Sequence, residues 1–282
     1  MNYGKTRIVL CGDEFDLGRQ AARAVARVMR RRLARPGALR VVFAAGESQN
    51  AFFAALAKER DLDWSRVACF NMDDFLDRRM PERYTCGYQT RTQLYDKVRP
   101  QSFHLVRFNA PDPQAEARRF EALLREAPID ITCQGIGTSG HLALNEPGQT
   151  DFQEKAWVKV VTVAEQSKKQ LMADPNFRDL GRIPGRGITM TIPALVSARR
   201  VFTIVPLALK RDILTRVLSA PGPTETLPAT ILRVTSGTLF VDRNSCPDFL
   251  RTRFNAAGAP RAAARGRTTT GRCRPGRGSA VR

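Results

Sequence analysis

Residues 130–148 read DITCQGIGTSGHLALNEPG. A short apolar run, 130–134, gives way to a loop carrying Gly135, Gly137 and Gly140, then His141 and, a little further on, the carboxylate of Glu146. An apolar run that stops at glycines is how a buried strand ends in an open α/β sheet. Working outward, the same alternation recurs. Runs rich in Val, Ile, Leu and Phe at 7–11, 40–44, 67–72, 103–107, 158–163, 187–191, 200–205 and 238–241 are separated by longer amphipathic segments. The helix-like segments are 17–33, 49–60, 113–125 and 207–218, with Asp112 placed as an N-cap ahead of Pro113. The pattern predicts an α/β fold: a doubly wound, mostly parallel sheet with helices on both faces, a three-layer sandwich.

A chain of 282 residues with 43% hydrophobic content can bury a large core without disulfides or metals. No stretch approaches the roughly 20 apolar residues of a membrane-spanning helix, and the first residues lack the apolar segment of a secretory signal, so a cytoplasmic protein with no membrane partner is expected. The six cysteines are scattered, with neither a CxxC pair nor a histidine at metal-ligand spacing, which supports neither a disulfide framework nor a metal site. The net charge of +19 raises nucleic-acid binding as a possibility. Seven of those charges are arginines after residue 253, in a segment with no acid and little apolar content. That composition divides the chain into a single domain, 1–253, and a disordered Arg/Ala/Gly-rich tail, 254–282, through which nucleic acid is the one remaining route of contact.

Ligands of open α/β sheets bind beyond the carboxyl ends of the strands, so the loops there are where chemistry is expected. Three stand out: AAGES (44–48), NMDDFLDR (71–78) and GIGTSGHLALNEPG (135–148). The chain holds only two histidines. His104 sits in an alternating run and reads as structural. His141 sits among glycines, where backbone freedom lets a loop approach a ligand. Asp73 and Asp74 follow an apolar run, and since neighbours on extended backbone face opposite ways, at most one enters a shared pocket. AAGES reads as strand, turn and helix start, the geometry that places an anion on a helix N-terminus, although Glu47 adds a negative charge there.

Together these loops resemble, in order and spacing, those of the glucosamine-6-phosphate deaminase family. FNMDDF (70–75) is similar to that family's FNMDEY loop, GIGTSGHLALNEPG to its GxGxDGHIAFNEPG loop, and AAGES falls at its phosphate-binding turn; residues 187–214 resemble its later strands and Lys-bearing helix. The resemblance implies that Asp73 moves a proton between C2 and C1 of an opened amino sugar, that His141 assists ring opening, and that Glu146 orients the imidazole. It implies that Lys210, with Gly46, Ser48 and Gly137, holds a phosphorylated hexosamine or hexose. No cofactor is implied, and a homo-oligomer is compatible with it. The chain departs from the family pattern at Ser139, where the family has Asp, at Phe75 for Tyr, and at Glu47. Two alternatives therefore stand beside the deaminase: a 6-phosphogluconolactonase-type hydrolase using His141, and a sugar-phosphate sensor of weakened activity.

Overall fold

The computed structural model describes residues 1–173 and 177–251. The basic tail and Cys273 lie outside the described residues.

Among the described residues eleven strands are formed: β1 (Asn2–Tyr3), β2 (Thr6–Leu10), β3 (Leu39–Phe43), β4 (Val67–Asn71), β5 (Asp73–Leu76), β6 (Ser102–His104), β7 (Ile131–Gln134), β8 (Val158–Thr162), β9 (Arg186–Met190), β10 (Arg200–Val205) and β11 (Gly237–Val241). Eight of them make one sheet in the order β1-β2-β11-β10-β7-β3-β4-β6. Every pairing in it is parallel except that of β1 with β2. Its central strands β3 and β7 are buried along their whole length, as expected of a sheet covered on both faces. The helices Glu14–Leu33 and Asn50–Leu56 bury Val25, Met29, Phe52 and Phe53 against one face. The helices Pro113–Arg125 and Arg211–Ser219 bury Phe120, Leu124, Ile213 and Val217 against the other. Asp112 caps the first of these, accepting from the Gln114 and Ala115 amides.

Two of the apolar runs that the alternation assigns to the main sheet lie elsewhere. β8 and β9 join β5 in a separate antiparallel sheet of order β5-β9-β8, with Asp73 opposite Thr189. This small sheet carries the chemistry-bearing loops together. The Leu144 amide donates to Thr189 Oγ1 at 3.1 Å, and Asn145 Nδ2 donates to the carbonyl of Met190 at 2.8 Å. β9 thus holds the strand that bears Asp73 on one side and the loop that bears His141 beside it.

Candidate active site

A cleft of about 350 Å³ opens at the carboxyl ends of β3, β7 and β10, within the range of small-molecule sites. Asp73, His141 and Lys210 all line it, as do Gly46, Ser48 and Gly137. Glu146 does not. It is 2% exposed and lies behind His141, its Oε1 2.6 Å from the imidazole Nδ1.

The loop that presents His141 is closed on itself. The Gly137 amide donates to the His141 carbonyl at 3.0 Å, and the Gly140 amide to the Gly137 carbonyl at 2.9 Å. The imidazole lies so close over Gly137 that a Cβ there would fall 1.9 Å from Nε2. Only glycine leaves room for the ring in this position.

Ser139 and Ser167 complete the surroundings of Nδ1. Ser139 Oγ donates to Glu146 Oε2 at 2.6 Å and lies 2.8 Å from His141 Nδ1. Ser167 Oγ donates to Glu146 Oε1 and lies 3.3 Å from the same nitrogen. Burial alone would raise the Glu146 carboxyl; the hydrogen bond and charge of His141, followed by the two serine hydroxyls, take it down instead to about 2. An ionised carboxylate only accepts, and each serine has one hydroxyl proton, already directed at Glu146. Nδ1 therefore faces three acceptors and carries its hydrogen, so the neutral ring presents a bare Nε2 on the side of Gly137 and the cleft.

The aspartates divide as extended backbone requires. Asp73 turns into the cleft. Asp74 turns away and accepts from the amides of Phe75 (2.8 Å), Cys86 (3.0 Å) and Gly87 (2.8 Å) at the start of the helix Cys86–Thr90. Burial pushes the Asp74 carboxyl up while these amides pull against it. Burial and the neighbouring charge of Asp74 together push Asp73 up to about 7. A carboxyl so placed gains and loses a proton with near-equal ease at neutral pH, which suits a group that must take a proton and return it.

Lys210, 4% exposed, ends a 3-10 turn at the residue before the helix Arg211–Ser219, on the cleft wall. Leu207, just before that turn, holds φ +82°, a left-handed conformation costly for a leucine. Across the cleft Gly46 has φ +103° and starts the turn Glu47–Gln49, but its amide is already engaged, donating to Gln89 Oε1 at 2.9 Å. His104 stacks on Phe70 with ring centroids 4.7 Å apart and is not among the cleft residues. Sequence reasoning missed Ser167 and Gln89. Both come from polar helical stretches with no motif, and only the tertiary arrangement brings them to the site.

The match to the glucosamine-6-phosphate isomerase/6-phosphogluconolactonase family model runs over residues 12–241. The chain belongs to this family. Among curated members, it is 33% identical over 186 residues to glucosamine-6-phosphate deaminase of Exiguobacterium sp. (strain ATCC BAA-1283 / AT1b), covering 65% of this chain and 70% of that protein. It is 31% identical over 201 residues to the deaminase of Lysinibacillus sphaericus, covering 71% and 88%. Solved family structures share its fold. A monomeric glucosamine-6-phosphate deaminase superposes with a TM-score of 0.73 at 23% identity, over 85% of this chain and 98% of that one. The 6-phosphogluconolactonase of Thermotoga maritima gives 0.64 at 19% identity, over 84% and 99%.

Proposed function

We propose that this family member is a cytoplasmic enzyme that converts glucosamine 6-phosphate, or a close analogue, to fructose 6-phosphate and ammonia. One observation carries the reading: a carboxyl poised near pH 7, Asp73, shares a cleft with an imidazole, His141, whose tautomer is fixed from behind. The contacts to Nδ1 behind His141, at 2.8 and 3.3 Å, leave Nε2 to take the proton of the C1 hydroxyl and deliver it to the ring oxygen as the C1–ring oxygen bond breaks. Asp73 then takes the proton on C2 and returns it to C1, while the C1 carbonyl oxygen takes a proton as the C2 amine gives one up. This leaves an imine at C2, whose hydrolysis releases ammonia. Lys210 at the cleft wall meets the phosphate as a point charge.

The test is ammonia and ketose release from glucosamine 6-phosphate by the wild type, Asp73→Asn, His141→Gln and Lys210→Met. The first two variants are expected to lose about 100-fold or more in kcat, while Lys210→Met raises KM. Equal turnover in Asp73→Asn and the wild type overturns the reading. Hydrolysis of 6-phosphogluconolactone, measured in the same preparation, separates the lactonase alternative: that reaction needs His141 to activate water but has no carbon-bound proton for Asp73 to move.

A further inference from the structure

Ser167 belongs to the helix Glu165–Ala173, which walls the cleft with Leu171 and Ala173 and stands far in sequence from the loop of His141. A serine in the first turn of a helix ordinarily bonds to nearby backbone or to water. This one is 3% exposed and spends its hydroxyl proton on Glu146 Oε1, leaving its oxygen toward His141 Nδ1. Ser139 makes the corresponding bond to the other carboxylate oxygen, Oε2. The carboxylate is thus gripped at both oxygens, from two separate elements of the fold. Its rotation is blocked, and the acceptor facing the imidazole is fixed.

We propose that Ser167 is a positioning residue for His141: through Glu146 it holds the hydrogen on Nδ1 and the bare Nε2 toward the substrate, making up for the neutral Ser139. A serine at 139 supplies no charge to the imidazole. One hydroxyl alone would leave Oε1 of Glu146 with a single donor and the carboxylate free to turn about its remaining bonds. The second hydroxyl comes from the helix beside the cleft, so the acid-base pair is complete only with that helix seated.

The experiment reads the ring directly. With two histidines in the chain, a nitrogen-15 spectrum of the imidazoles contains two sets of signals, and His104→Gln assigns them. In the wild type, neutral His141 is expected to show a protonated Nδ1 and a bare Nε2. Ser167→Ala is expected to move both signals toward a tautomer mixture with melting temperature retained, and Ser167→Thr to restore them. The kinetic half rests on the functional reading above: kcat for glucosamine 6-phosphate falls about tenfold or more in Ser167→Ala, KM stays within about twofold, and Ser167→Thr recovers the rate. An unchanged His141 spectrum in Ser167→Ala overturns the proposal. If the wild type does not turn over glucosamine 6-phosphate, the functional reading falls, and the spectra still decide the role of Ser167.

Discussion

His141 Nδ1 lies 2.6 Å from Glu146 Oε1, with the two side chains 13% and 3% exposed. The pair is a stabilising element as well as a chemical one. A carboxyl whose pKa is lower folded than unfolded contributes stability above its unfolded value, and loses it as pH falls through the folded one. For Glu146 the window runs from about 4.5 down to about 2. The melting temperature of the wild type is expected to fall through that window by more than that of Glu146→Gln, which lacks the titrating group. Parallel curves for the two proteins would contradict the assignment.

Asp73 has the opposite sign. Its carboxyl is raised from 3.8 to about 7, so ionising it costs stability that is absent below about 3.8 and fully spent above about 7. Asp73→Asn is therefore expected to melt higher than the wild type at pH 8 and no higher at pH 4. On the proposed mechanism the same group would set the reaction's acid limb. kcat/KM should rise with an inflection near 7 as Asp73 becomes a base, and thermal melts beside a pH–rate profile check both halves.

Gly137→Ala places a methyl group where Nε2 now lies. The imidazole must swing aside, so the variant is expected to lose kcat/KM to within about tenfold of His141→Gln, on the order of 100-fold below wild type. Near-wild-type activity in a folded Gly137→Ala protein would show that the ring need not lie over that glycine.

Ser139→Asp puts a second carboxylate where a hydroxyl now donates to Glu146 at 2.6 Å. Two buried carboxylates at that distance cannot both ionise cheaply. The variant is expected to be less stable than wild type at pH 8 and to recover as pH falls toward 5, read from melting temperature against pH. Equal stability at both pH values would mean that the loop moves the new side chain away.

Much of this was legible in the residues. Every apolar run read as a strand forms one, and the central ones are the plainest, because a strand buried on both faces is rich in Val, Ile and Phe, as in β3 and β10. β5 was not legible. Its four residues include two aspartates, and its pairing depends on β9, more than a hundred residues away. The helical stretch from Cys86, which passes through a π turn at Arg91–Tyr95, was hidden by Gly87, Thr90 and Thr92, poor signals of a helix. At the site, Asp73, His141 and Lys210 could be marked by motif and resemblance. The resemblance also implied that Glu146 orients the imidazole; that it lies outside the cleft lining was not legible, because the loop's fold back through Asn145 decides it.

The amide of Gly46 is not vacant: the Gln89 side chain sits on it as a tenant, itself steadied by Asn50 at 3.4 Å. An oxygen arriving at that turn has to evict Gln89 first, so the affinity recorded there is a difference between two occupants. Gln89 also shares its five-residue helix with the Cys86 and Gly87 amides that grip Asp74, so the turn at Gly46 and the neighbour of Asp73 hang on one short segment.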